Sequence, residues 1–206
     1  MATIYTYALT TVADVKETLG IESGDSSQNN LIIRKINQAT DMIESWCGFD
    51  NDHHLAQTTY TSEEYDGTGT TELFLKAKPV TSVTSFQVRS TIENENDWDD
   101  ISTSDYFVNE HEGIIEVLFH LTESYNLFRV TYVSGFSTIP SDLAEACVTL
   151  AAYLVDNAST GSGVKRKQEG RREIEYFQPA QGDSLITQLG LDDTLTRYMM
   201  PSLAGW

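Results

Sequence analysis

Residues 128–157 read FRVTYVSGFSTIPSDLAEACVTLAAYLVDN, and within them the hydrophobic period changes once. Phe128, Val130 and Tyr132 fall on one side of a chain with the two-residue period of a strand. Beyond Gly135 and Pro140, residues Leu143, Ala146, Cys147, Leu150, Ala151 and Leu154 recur at helical spacings as a broad apolar stripe. Pro140 suits the opening of that helix, because the N–H it lacks would be unpaired there. The small residues in the stripe allow another helix to approach closely. A strand block feeding into a helical layer predicts an α+β fold.

Upstream, the pattern begins with helices. In TTVADVKETLGI (10–21), Thr11 is placed to cap a helix over 12–19, with Asp14 in capping-box register and Gly20 after the last periodic residue. A polar loop, ESGDSSQNN (22–30), offers Asp25, Ser26 or Ser27 as caps for a second helix over 26–47. There Ile32, Ile36, Ala39, Ile43 and Trp46 share one face, and Gly48 ends it. From Thr58 the period is that of strands. Thr58–Tyr65 and Thr71–Leu75 read as a hairpin around Asp66-Gly67-Thr68-Gly69. Val80, Ser82, Thr84, Phe86 and Val88 share one parity after Pro79, and Glu93–Asp100 reads as an acidic loop carrying Trp98. A further hairpin is expected around Asn109–Gly113, with Tyr106–Val108 and Ile114–Phe119 as its arms.

Beyond the third helix, predicted over 141–157, the chain changes character. GVKRKQEGRREIEYF (163–177) is basic and then apolar. Two short helical patterns follow, one with Leu185, Ile186 and Leu189 and one with Leu195, Tyr198 and Met199, before Pro201 and a terminal Trp206. Such short pieces are not stable alone and must dock, on this chain or on a partner.

Charge narrows the function further. The 206 residues carry 31 acids and 13 bases, a formal net of −18. Residues 1–140 hold 22 acids against 7 bases, whereas Lys165, Arg166, Lys167, Arg171 and Arg172 cluster within eight positions. This is the wrong sign for ordinary nucleic-acid binding, which draws its affinity from counterion release by Lys and Arg. The basic run could bind nucleic acid, act as a solvated linker or dock an acidic neighbour; the interleaved Glu169, Glu173 and Glu175 dilute a phosphate-binding stripe. No secretory-signal pattern and no run of about 18 apolar residues is visible, so a chain that works in solution is expected, with no membrane role. Cys47 and Cys147, on apolar helical faces, read as buried thiols.

Motifs for chemistry fail their contexts. FDNDHH (49–54) places Asp50, Asp52, His53 and His54 together, the residue types of a divalent-metal site. It lacks the helical spacing of a zinc motif and the length of a calcium loop, so it reads as a solvated turn. DGTGT (66–70) opens a strand, not a helix, and is no phosphate loop. No GxSxG or catalytic-cysteine context is present, and His111 and His120 read as surface residues in strand-like segments. No catalytic residue, metal or cofactor is expected.

The order and spacing of these blocks, the capped helical pair, the turn-rich strands and the strand-to-helix segment, resemble the head–tail connector (adaptor) proteins of tailed bacteriophages. The resemblance covers about residues 9–178. It implies a structural virion protein in the neck, assembled in the host cytoplasm: a dodecameric ring beneath the portal, joined to the tail or next neck protein. DNA would pass through its channel without specific binding. The implied architecture is a small bundle of about three helices with a β-rich insertion (strands over 58–133), forming a core over 1–160. A C-terminal docking arm would follow over 161–206. Docking to portal or neighbouring subunits falls to Lys165, Arg166, Lys167, Arg171 and Arg172 with Leu185, Leu189, Leu195, Tyr198, Met199 and Trp206. Two alternatives stand beside this reading: another neck or tail ring protein, such as a stopper or tail terminator, and a metal-dependent enzyme using Asp50, Asp52, His53 and His54.

Overall fold

The structure, a computed structural model, describes residues 2–90, 97–160, 166–169, 172–175 and 185–200. It divides into two compact units, Met1–Gly48 with Ile139–Trp206, and Phe49–Thr138. Helices and one two-stranded sheet occupy the first and the two larger antiparallel sheets the second, the α+β class expected from the change of period.

In the first unit, α1 (Val12–Leu19) is fixed by a complete capping box. The Thr11 hydroxyl donates to Asp14 Oδ2 at 2.6 Å, and the Asp14 and Thr11 backbone N–H groups close the reciprocal bonds. The next helix, α2 (Asn29–Trp46), starts later than the expected residue 26. Its N-cap is Gln28, without a side-chain cap, because the Asp25 carboxylate is spent on the Ser27 N–H within the preceding turn. Ile32, Ile36, Ala39 and Ile43 are buried along one face of α2, which packs on α3 (Ser141–Thr160), where Leu143, Cys147, Leu150 and Ala151 are buried. Each fully buried Ile or Leu contributes about 1.5–3 kcal/mol. A polar pair in this seam, Thr40 Oγ1 and Cys147 Sγ, is mutually satisfied at 3.8 Å. Burial pushes the thiol of Cys147 up to about 12 and that of Cys47 likewise.

The second unit carries two sheets. In the larger, β1 (Thr58–Gly67), β7 (Ser124–Ser134), β3 (Val80–Arg89) and β4 (Trp98–Asp100) follow in that order. In the smaller, β2 (Glu72–Phe74), β6 (Ile114–Val117) and β5 (Tyr106–Asn109) do. The expected hairpin around Asp66–Gly69 is therefore corrected: β1 and β2 belong to different sheets, and the turn carries the chain from one to the other. Gly67 makes the passage possible, since a Cβ there would lie 1.7 Å from the Thr122 carbonyl oxygen. The acidic loop is also revised in part, because Trp98–Asp100 pairs with β3, and the Trp98 ring lies under the guanidinium groups of Arg129 and Arg89 at 4.4 and 4.9 Å. Bulges in β3 between Val80 and Ser82 and between Val83 and Ser85 break the single parity read from sequence, leaving Val80 and Phe86 buried but Ser82 and Thr84 exposed. The hairpin around Asn109–Gly113 is present as expected, with His111 in its turn and His120 in a loop, both exposed and neither on a strand.

The C-terminal part contains a separate two-stranded sheet, β8 (Arg166–Glu169) with β9 (Arg172–Glu175), then two single-turn helices, α4 (Leu185–Gln188) and α5 (Asp192–Leu195).

Candidate functional site

The FDNDHH turn is not simply solvated. His53 is 3 % exposed, and its ring lies against Tyr60 with centroids 4.9 Å apart. Nδ1 lies 2.5 Å from Asp50 Oδ1 and Nε2 lies 2.7 Å from Glu63 Oε1. Both neighbours are carboxylates, which only accept, so both ring nitrogens donate and the ring is an imidazolium. Burial works to lower its pKa, but the hydrogen bonds and charges of Glu63 and Asp50 outweigh it and raise it. Glu63 is the centre of the cluster. Its carboxylate also accepts from Tyr65 Oη at 2.6 Å and Tyr132 Oη at 2.8 Å, and Lys76 Nζ lies 3.2 Å away. Burial alone would raise its pKa, yet the bonds from His53, Tyr65 and Tyr132 hold it at about 2. Burial pushes both tyrosine hydroxyls up, and proximity to Glu63 adds to this.

A metal ligand must offer a lone pair, and an imidazole donating from both nitrogens has none. Asp52 is exposed, and its N–H donates to Asp50 Oδ1. The His54 N–H donates to Tyr60 Oη. The arrangement is a buried charge cluster that ties the turn after α2 to β1 and β7. Sequence reading missed Glu63, Tyr65 and Tyr132 as its members, since they stand ten to eighty residues from His53 and only strand pairing assembles them.

The second region of interest is the C-terminal segment. Lys165, Arg171 and Trp206 lie outside the described residues. Arg166, Lys167 and Arg172 stand on the β8–β9 hairpin, whose register sets Arg166 opposite Glu175 and Arg172 opposite Glu169. Residues 185–200 dock on this chain's own helices. The Met200 N–H donates to the Cys47 carbonyl at 2.7 Å, and Cys47 Sγ donates to the Leu195 carbonyl at 3.8 Å. Tyr198 Oη donates to Asp142 Oδ1 at 2.6 Å at the start of α3. That bond holds the Asp142 carboxyl below its usual range, while burial and Asp142 together push the Tyr198 hydroxyl up to about 12. Leu195 is fully buried and Ile186 nearly so, Leu185, Leu189 and Tyr198 are half-buried, and Met199 is 42 % exposed. Leu195 therefore holds the segment in place within the chain, and Met199 is the most outward of the described apolar candidates.

A family model described as HCP, head completion protein, matches residues 8–165. The fold is similar to that of a chain in the neck of an empty GTA particle computed with C6 symmetry, at a TM-score of 0.58 and 15 % identity, covering 100 % of this chain and 96 % of that one. It is similar also to a chain of the virion of a native gene transfer agent particle, at 0.58 and 14 %, covering 99 % and 96 %. A third, from the neck of a native GTA particle computed with C12 symmetry, scores 0.53 at 15 % identity, covering 100 % and 96 %. No curated protein matches in sequence. Identities this low speak to the fold; the family match spans most of the chain and bears out the resemblance read from its blocks. The chain belongs to the head completion protein family and is a structural protein of the head–tail connection.

Proposed function

We propose that the chain is the repeating subunit of a ring in the virion neck, attached to the portal on one side and to the tail or next neck protein on the other. What carries this reading is the family match over 8–165 joined to a fold shared along the whole chain with neck proteins of particles computed with C6 and C12 symmetry. The ring is dodecameric, and the role is structural, without catalysis. Residues 161–206 act as the docking arm: the bases Lys165, Arg166, Lys167, Arg171 and Arg172 meet acidic protein surface, and Met199 with Leu185, Leu189, Tyr198 and Trp206 supplies apolar contact. Leu195 anchors the arm to its own subunit.

The acidity belongs to the channel. With −18 per chain, a lumen lined by some of these acids repels phosphates and denies DNA the counterion release that would make it stick. The test is imaging of the purified chain with and without its portal, paired with a DNA shift assay at low salt. A twelve-fold ring and weak DNA binding are expected. A single copy per neck would overturn the ring, a position at the tail's end would reassign the chain to a terminator role, and tight binding through Lys165–Arg172 would overturn the sliding channel.

A further inference from the structure

One face of the smaller sheet is open at one end, whereas Phe74 and Ile114 farther along the same parity are half-buried. Leu73, Ile115 and Val117 point inward and are at most 5 % exposed. On the opposite parity, Phe107 of β5 is 68 % exposed and Leu118, next after β6, is 81 % exposed. Glu116 stands between them in the ladder, paired in register with Phe107 on one side and with Glu72 of β2 on the other. Leu118 continues the ladder, its N–H donating to the Asp105 carbonyl at 2.9 Å. Two carboxylates directly opposite each other repel, and among the described residues no cation pairs with either Glu72 or Glu116. The face is thus a strip of two exposed apolar side chains beside an uncompensated acidic pair.

The chemistry that fits this strip is carried by the chain itself. Strands β8 and β9 form a sheet of two strands only, a unit marginal in water unless something packs on it. Their register places Lys167 opposite Ile174 and Glu169 opposite Arg172. The segment 165–175 carries Lys165, Arg166, Lys167, Arg171 and Arg172 against Glu169, Glu173 and Glu175. In a chain whose first 140 residues carry 22 acids and 7 bases, this net-basic hairpin segment is the charge complement of the Glu72–Glu116 strip.

We propose that the Phe107–Leu118 face, with Glu72 and Glu116, receives the β8–β9 hairpin of the neighbouring copy in the ring, through Lys167, Arg172 and Ile174. This rests on the ring reading above. A ring closes through heterologous contacts, in which each copy presents one surface and receives another. The hairpin and the strip are such a pair.

The experiment mixes two single-cysteine variants of the full chain, Leu118→Cys and Lys167→Cys, under ring-forming conditions with a short bismaleimide. Native Cys47 and Cys147 are buried, so their background is low. Crosslinks between the two variants are expected. The pair Glu72→Lys/Glu116→Lys should lower ring yield at least about tenfold, with Lys167→Glu/Arg172→Glu in the same chain restoring it. Glu72→Gln/Glu116→Gln, milder for the fold, should lower yield less. If the wild type forms no ring, alone or on its portal, the ring reading fails and this proposal with it. If rings form, but the mixed variants do not crosslink or charge reversal leaves the yield unchanged, this proposal alone falls. Crosslinking only in a double-cysteine chain would place the hairpin on its own subunit and equally overturn it.

Discussion

Replacing His53 by Gln removes the cation shared by Asp50 and Glu63 while keeping a side chain of similar reach. Holding the Glu63 carboxyl at about 2 instead of its ordinary 4.5 corresponds to about 3 kcal/mol of preference for its charged form. Tyr65, Tyr132 and Lys76 still serve Glu63 in the variant, so not all of this is lost. Uncovering a carboxylate whose side chain is only 15 % exposed adds a desolvation cost. The expected loss is about 2–4 kcal/mol, or roughly 5–12 °C in melting temperature for a chain of this size. Its pH dependence is more diagnostic. Glu63 has a lowered pKa in the fold, so its contribution is present above the ordinary 4.5 and is lost as pH falls toward about 2. His53 has a raised pKa, so its contribution is complete below its ordinary 6.5 and is lost as pH rises through the folded value. Urea titrations of the wild type from pH 3 to pH 9 should show greatest stability between about 4.5 and 6.5, and His53→Gln should flatten the alkaline arm. Imidazole nitrogen shifts at pH 6 should report a doubly protonated ring. A variant within about 0.5 kcal/mol of wild type, an unchanged alkaline arm or a neutral tautomer at pH 6 would refute the clamp.

Thr11→Ala should destabilise by about 1 kcal/mol through loss of the capping box, read as a lower midpoint in urea at unchanged slope. Tyr198→Phe should cost about 1–1.5 kcal/mol and increase hydrogen exchange over 185–200, leaving exchange in β1 and β7 as in wild type. Gly67→Ala should be among the most damaging single-methyl changes, above about 3 kcal/mol, because the added carbon meets the Thr122 carbonyl backbone and not a side chain that can move. Gly135→Ala places a methyl 2.5 Å from the Ala56 carbonyl oxygen at a φ of +94°; it should slow refolding in stopped-flow measurements more than Thr11→Ala does.

The helices were legible because their signals are local. The Thr11–Asp14 box, the apolar face of α2 and the stripe of α3 are each written within a few turns of chain, and each is where the spacing puts it except at Trp46 and Leu154, which are only half-buried. The sheets were legible as strands but not as pairings. Asp66-Gly67-Thr68-Gly69 has the composition of a hairpin turn, and nothing nearby states that β1 pairs with β7, some sixty residues on. His53 failed for the same reason. Its neighbours in sequence are polar and suggest solvent, whereas its burial is decided by Glu63 and the Tyr60 ring across the strand. Leu195 looked like a free anchor since its helix is a single turn, but the end of α2 offers it a covered place.

The isolated parallel bridge between Ala56 and Phe136 has a consequence for how the chain finds its fold. Helices α2 and α3 are partners in space but are separated along the chain by everything from residue 47 to residue 140. Joining them directly would close a loop of roughly ninety residues, whose entropy opposes the encounter. With the bridge and the β1–β7 ladder in place, the freely moving stretch between the two helices shrinks to little more than a dozen residues, easing closure by roughly 1.5 kcal/mol. The strands then act as a zip whose top fastening lies at Ala56 and Phe136, bringing the helical ends within reach. Residues far from that fastening, such as the turn at Asn109–Gly113, can change length or sequence without lengthening the path the helices must close.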